Sequence, residues 1–166
     1  MVNEIKPVDV YLALGSNLGD REANLQEVLR LLSDRLRVVK ISPVYETEPE
    51  GGEKQPRYLN QAAHFLTTLP PAGLLVLIKG FEMKMGRTGP SGAPRIIDID
   101  ILLYGDQVVK SPELTIPHPR LTKRAFVLIP LAEIAPDAEH PVEHKTINQL
   151  LEELKDNQGV ARWNPS

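Results

Sequence analysis

The sequence contains no cysteine. Disulfide bridges and thiolate-held metals are thereby excluded, and the composition suits a reducing compartment such as the cytoplasm. An excess of positive charge is lacking too. The formal charge is −3 at pH 7, so the surface as a whole carries no nucleic-acid signature. No apolar run is long enough to cross a bilayer, and no membrane partner is expected. Acidic Glu4 and Asp9, without a long apolar stretch, leave no pattern of a secretory leader. Aromatic residues make up only 5%, and the aromatic run that an RNA-recognition signature needs around Lys79-Gly80-Phe81 is absent. The segment Gly15 to Gly19 lacks the Gly-Lys-Ser/Thr ending of a Walker loop. What is present is ordinary for a globular protein. With 166 residues, 42% hydrophobic and 25% charged, residues 1–166 are expected to form one domain with a sizeable core. The 15 prolines fall between periodic segments and predict stiff loops.

Periodicity predicts the order of elements. Residues 8–14 read as a buried strand, and Gly15-Ser16-Asn17-Leu18-Gly19-Asp20 as a tight turn leading to a helix cap. Leu25, Val28, Leu29, Leu32 and Leu36 recur at helical spacing, which predicts a helix over 21–34. Residues 37–46 read as one strand with Val39, Ile41, Pro43 and Tyr45 on a single face, and 47–57 as a loop. Residues 58–68 read as a third strand with Tyr58 and Asn60 on one face. Pro70-Pro71 opens a second helix whose buried stripe is Leu74, Ile78, Phe81 and Met85. Lys79 and Glu82 lie on another side of it. After the loop 87–94 comes a fourth strand. Strand, helix, strand, strand, helix, strand is an α+β, ferredoxin-like βαββαβ arrangement: one antiparallel sheet with two helices on one face. Its other face then needs a cover or a ligand. Further C-terminal elements are expected: a strand at 107–109 pairing back as a hairpin, another at 114–116, a short helix over 126–134 interrupted by Pro130, and a last helix capped by Thr146. Trp163 is expected to dock the segment that follows.

The fourth strand carries the chemistry. In Pro94-Arg95-Ile96-Ile97-Asp98-Ile99-Asp100-Ile101-Leu102-Leu103, residues two apart share a face, so Asp98 and Asp100 point together and Ile97, Ile99 and Ile101 point away. Two carboxylates about 7 Å apart repel unless a cation sits between them. Mg²⁺ in phosphoryl-transfer sites suits that gap, because it takes one or two carboxylates plus phosphate oxygens. Arg95 is placed to grip a phosphate by a forked pair of hydrogen bonds. The bland alternative is an edge strand guarded by a solvated acidic face. Two other motifs mislead. His140-Pro141-Val142-Glu143-His144 has the spacing of an inverted zinc-protease motif, but Pro141 opposes the continuous helix it requires. His64, inside a strand, reads as structural.

Four stretches, in this order, resemble 6-hydroxymethyl-7,8-dihydropterin pyrophosphokinases of folate biosynthesis. They are Leu14-Gly15-Ser16-Asn17-Leu18-Gly19, then Tyr45-Glu46-Thr47 through Gln55-Pro56-Arg57-Tyr58-Leu59-Asn60, then Pro94-Arg95-Ile96-Ile97-Asp98-Ile99-Asp100, then Leu114-Thr115-Ile116-Pro117-His118-Pro119-Arg120. The resemblance implies an ATP-dependent diphosphotransferase that leaves AMP, with ATP as co-substrate and two Mg²⁺ ions held by Asp98 and Asp100. It implies catalytic Arg87, Arg95, Asp98 and Asp100. It assigns nucleotide contacts to Lys79, Glu82, Arg87, Arg95, Ile101, Thr115, His118 and Arg124. It assigns the pterin to Thr47, Tyr58, Asn60 and Phe126, with Tyr58 and Phe126 as the stacking pair and Asn60 reading the ring edge, while Asn17 braces the pocket. A monomer acting in the cytoplasm is expected, and the loops 46–57 and 87–94 are expected to close on substrate. The sequence departs from the family pattern in three places: a short 88–93 loop with Ala93 before Pro-Arg, Glu113, and Pro119 after the histidine. A ligand-sensing module without chemistry is the competing reading, and it would not need Asp98, Asp100, Arg87 and Arg95 together.

Overall fold

In a computed structural model of the chain, residues 5–48, 56–86 and 95–164 are described. β1 (Val8–Ser16) runs through the middle of an antiparallel sheet, with β4 (Tyr58–Thr67) on one side and β5 (Asp98–Tyr104) on the other. The far edge of β4 is shared by β2 (Arg37–Ile41) and β3 (Tyr45–Thr47). β10 (Ala161–Arg162) adds to β3, giving the order β10-β3-β4-β1-β5 with β2 also on β4. Hairpins of β6 (Val109–Lys110) with β7 (Thr115–Ile116), and of β8 (Glu139–His140) with β9 (Lys145–Thr146), stand outside that sheet.

Among the described residues, four α-helices sandwich the sheet. α1 (Arg21–Ser33) begins where the Asp20 carboxylate accepts the Ala23 N–H at 3.1 Å, satisfying one orphan donor of the first turn. α2 (Pro71–Lys84) begins at a proline, whose missing N–H costs nothing there, and ends before Gly86 at φ +87°. Leu25, Val28 and Leu32 of α1 and Leu74 and Ile78 of α2 bury against Val10, Leu12, Leu14, Phe65, Ile99 and Ile101 on one sheet face. On the other face α3 (Ala125–Ile134) and α4 (Ile147–Leu154) cover Ala62, Leu102 and Leu103 with Val127, Leu128, Leu131, Ile147 and Leu150. The expected cover is therefore helical over part of that face. α4 opens with a reciprocal capping box between Thr146 and Gln149.

Several expectations on the elements are corrected. The single strand at 37–46 is two. Pro43 has no N–H for the ladder, and around it the Ser42 hydroxyl accepts the Ala62 N–H at 2.9 Å in place of a backbone partner. Val39 does not share the buried face. The pairing slips between Val38 and Lys40, and the extra residue turns Val39 out to 46% exposure. β5 starts at Asp98 rather than at 94, because the Arg95 N–H donates to the Asn17 side-chain oxygen at 2.6 Å and its carbonyl accepts the Asn17 N–H at 2.9 Å. The expected hairpin strand at 107–109 does not pair back on β5; β6 pairs with β7 instead. α3 runs continuously through Pro130. A second slip, on β5 opposite Tyr11 and Leu12, lets both Leu102 and Leu103 join the α3–α4 cluster, which alternation alone does not anticipate.

Candidate active site

α3 and α4 leave the end of the second face open, and a cavity of about 360 Å³ lies there. That is within the range for a small-ligand pocket. Its floor is the sheet, seen at the start of β5, the end of β1 and the start of β4. Register builds it: Asp98 pairs with Gly15, and Gly15 with Asn60, so the three stand in one row across three strands. Asp100 pairs with Ala13 in the next same-face row. Both aspartates line the cavity, while Ile99 between them and Ile101 after them are buried on the face that α1 and α2 cover. Period two on β5 thus places two carboxylates over a cavity and two isoleucines in the core.

The walls come from other elements. Tyr58 and Asn60 rise from β4, Thr47 from β3, and Phe126 from α3, and all four line the cavity. Asn60 Nδ2 donates to Thr47 Oγ1 at 2.7 Å in a buried pair, which fixes the direction of the amide. A Cβ at Gly15 would lie 3.1 Å from Asn60 Oδ1 and 3.4 Å from Tyr58 Cδ1, so glycine is what keeps the floor under both residues clear. Arg124, at the N-terminus of α3, lines the cavity with its guanidinium carbon 5.2 Å from the Phe126 ring centroid. Behind this wall the Tyr45 hydroxyl donates to Glu133 Oε1 at 2.6 Å, tying β3 to α3. That bond is the main cause holding the Glu133 carboxyl below its ordinary range, while burial, and then the same bond, push Tyr45 up.

The remaining expected site residues are placed elsewhere. Thr115 stands on β7, which packs beside β5, and the His118 N–H donates to the Leu102 carbonyl at 3.0 Å. His118 Nδ1 accepts the Arg120 N–H at 3.1 Å, so the proton of the neutral ring sits on Nε2, 4.0 Å from Asp100 Oδ1. Ile101 is buried in the core beside them. Arg95 is buried against Asn17 at the end of β1, and Asn17 Nδ2 also reaches the Pro56 carbonyl at 3.3 Å, so one side chain contacts both Arg95 and Pro56, 39 residues apart in sequence. Lys79 and Glu82 are on α2, across the sheet from the cavity. Glu82 is only 2% exposed although it lies off the apolar stripe, and its Oε2 accepts the Ile99 N–H at 2.9 Å. Lys79 Nζ stays 3.4 Å from the other carboxylate oxygen. Arg87, and the expected closing loops for most of their length, lie outside the described residues.

Arg120, Glu48, Gln61 and Gly15 also line the cavity and were not singled out as site residues. Arg120 had a signal, standing two residues after His118; Gln61 had none, because its side chain is set by a hydrogen bond to the Ser42 carbonyl at 2.8 Å. The motifs set aside stay outside the cavity. His64 stacks on Tyr11 with centroids 4.3 Å apart and bonds Asp9 at 2.7 Å. His140 Nδ1 accepts the N–H groups of Val142 and Glu143 in the β8–β9 turn.

Among the described residues no cluster of three histidine, cysteine or acidic side chains could hold a metal alone. Two same-face carboxylates open to a cavity fit a cation whose other ligands are water and phosphate oxygens, which is the habit of Mg²⁺. Asp100 is 47% exposed, leaving its oxygens accessible for that role. Carboxylates, arginines and an aromatic wall in one cavity can orient a polyphosphate beside a flat ring. No helix among the described residues is long and apolar enough to cross a membrane.

Residues 11–136 match the family model for 7,8-dihydro-6-hydroxymethylpterin-pyrophosphokinase. A 2-amino-4-hydroxy-6-hydroxymethyldihydropteridine pyrophosphokinase of Bacillus subtilis is 40% identical over 92% of this chain and 89% of its own length. Its Aquifex aeolicus counterpart is 43% identical over 87% and 91% respectively. The folic acid synthesis protein fol1 of Schizosaccharomyces pombe is 41% identical, but the chain spans only 21% of it. In fold, the chain superposes on a crystal structure of Plasmodium falciparum HPPK-DHPS with a TM-score of 0.77 at 20% identity, over 96% of this chain and 49% of that one.

Proposed function

The chain belongs to the 7,8-dihydro-6-hydroxymethylpterin-pyrophosphokinase family, and from there we propose that it transfers pyrophosphate from ATP to the hydroxymethyl group of 6-hydroxymethyl-7,8-dihydropterin, a step of folate biosynthesis. The observation that carries the reading is the meeting in one cavity of Asp98 and Asp100 with Tyr58, Asn60, Thr47 and Phe126.

The pterin lies between Tyr58 and Phe126, with its polar edge against the Asn60–Thr47 pair. Its hydroxymethyl oxygen attacks the β-phosphorus of ATP in line with the bridging oxygen to the α-phosphate. The new bond is carbon-bound oxygen to β-phosphorus, the broken one is β-phosphorus to the bridging oxygen, AMP leaves, and the hydroxyl proton passes to solvent. Asp98 and Asp100 hold two Mg²⁺ ions in this reading, which when bound neutralise the triphosphate and polarise the β-phosphorus. Arg95 and Arg87, with Arg124 at the mouth of α3, balance charge on the phosphate oxygens. Lys79, Glu82, Ile101, Thr115 and His118 serve the nucleotide, Thr115 and His118 from the outer side of β5 and Ile101 from the strand itself. Glu82 does so by holding the Ile99 N–H, which sets where β5 presents its aspartates. The four long strands, taken in space as β5, β1, β4 and β2 with β3, are read as the ferredoxin-like split βαβ pattern. ATP as co-substrate suits a cytoplasmic enzyme, which in this reading acts as a monomer.

The test is incubation with ATP, Mg²⁺ and the hydroxymethyl pterin, followed by nucleotide analysis. AMP is expected in step with pterin diphosphate; ADP instead of AMP, or no turnover, removes the reading. Asp98→Asn and Asp100→Asn should each lower turnover at least about a thousandfold, since electrostatic preorganisation is the main resource of phosphoryl transfer. A circular-dichroism melt should show both variants folded. Normal turnover in either would overturn its metal assignment.

A further inference from the structure

The segment after α4 touches both walls of the cavity without lining it. Val160 is buried with Tyr45 of β3 and Ala125 of α3. Ala161 and Arg162 pair with Glu46 and Tyr45, the Trp163 N–H donates to the Val44 carbonyl at 3.0 Å, and Arg162 reaches Glu133 of α3 at 3.4 Å. These contacts hold β3, whose Thr47 orients Asn60.

Gln158 does the same for the opposite wall. Arg124, the residue at the N-cap of α3, makes no side-chain capping bond. Instead Gln158 Oε1 accepts the Ala125 N–H at 3.1 Å, and its Nε2 donates to the Lys123 carbonyl at 3.1 Å, from 33 and 35 residues along the chain. A helix start needs such an acceptor for its orphan N–H groups. The backbone at Gln158 is held at φ +54°, a region glutamine rarely adopts, by its own N–H donated to Asp156 Oδ1 at 2.9 Å. Backbone strain of this kind persists only where the surroundings over-determine it. The residues on either side of the capped N–H are Arg124 and Phe126, both on the cavity wall.

We propose that Gln158 is a positioning residue for the reaction: its amide caps α3 from the distal segment and thereby sets Phe126 and Arg124 at the correct distance from Tyr58 and Asn60. The inference rests on the pyrophosphokinase reading for its kinetic arm and on the fold alone for its second arm. Gln158→Ala removes both hydrogen bonds and leaves the cavity lining intact. The pterin KM should rise about fivefold, the size of a lost helix cap, with kcat within about twofold of wild type. Amide hydrogen exchange over residues 125–128 should quicken while β1 and β4 stay protected. Gln158→Glu keeps the acceptor for the Ala125 N–H and adds negative charge at a helix N-terminus but loses the donor to the Lys123 carbonyl, so its KM should fall between those of wild type and Gln158→Ala. Leu151→Ala, on the partly buried face of α4, supplies a comparable loss of stability without touching the cap. Unchanged KM and exchange in Gln158→Ala, a loss confined to kcat, or an equal rise of KM in Leu151→Ala would overturn the proposal. If wild type releases no AMP, the pyrophosphokinase reading fails by itself, and the exchange at 125–128 still decides whether Gln158 holds the wall.

Discussion

Gly15→Ala separates stability from ligand recognition at one position. The residue is not in the left-handed region, so alanine meets no backbone penalty there. By restricting the unfolded chain, the substitution should contribute about 0.4–1 kcal/mol of stability. Against this, the new methyl would stand 3.1 Å from Asn60 Oδ1 and 3.4 Å from Tyr58 Cδ1. One or both side chains must move a few tenths of an ångström, and a forced rotamer costs about 0.5–1.5 kcal/mol. The two effects nearly cancel, so the melting temperature should shift by no more than about 2–4 °C, the change that 1 kcal/mol gives in a domain of this size. The ligand, however, meets only the displacement. A penalty of about 1 kcal/mol corresponds to roughly fivefold weaker pterin binding. Titration of pterin fluorescence and the pterin KM both read it. On an Asn60→Ala background the extra loss should shrink, because the methyl's closest neighbour is gone. Unaltered pterin affinity, or the same loss on both backgrounds, would refute the reasoning.

Two further outcomes follow from buried groups. Glu82→Ala leaves the Ile99 N–H buried without its acceptor and should cost about 2 kcal/mol in a urea melt, whereas Glu82→Gln, which keeps a carbonyl oxygen in place, should cost less than half of that; equal losses would show that the charge, not the bond, matters. His140, 6% exposed, is pushed below its ordinary 6.5 by burial, so its stabilising effect is complete above about pH 6.5 and is lost as pH falls through the lowered folded value. His140→Asn, which puts an acceptor where Nδ1 was, should flatten the fall in stability between about pH 7 and 5; an unchanged slope would count against this residue as its source.

Period and punctuation were legible in the sequence because they are local. Leu25, Val28 and Leu32 at helical spacing, Pro71 at a helix start and Gly86 after its end each act through neighbours a few residues away. The same holds for Asp98 and Asp100, whose shared direction follows from strand geometry alone. Val39 departs from the face its spacing predicts because the slip that turns it outward belongs to the pairing of two strands. Glu82 lies outside the apolar stripe of α2 and is nevertheless buried, because the Ile99 N–H accommodates a carboxylate there and nothing near Glu82 in sequence reveals it. Gln158 carried no signal at all. Its partners lie more than 30 residues away, and its backbone conformation is visible only once the segment has docked.

The sequence by itself determined which residues could face together and which chemistry they could support: two acids on one face of a strand, and an ordered set of stretches shared with a family of pyrophosphokinases. Tertiary structure alone decided that the acids face a cavity and not open solvent, that Gly15 stands between Asp98 and Asn60, and that a distant glutamine caps the helix behind the opposite wall. The reason is physical. Direction along a strand or helix is set by backbone geometry at each residue, whereas a pocket exists only where α3 and α4 stop short of covering the sheet.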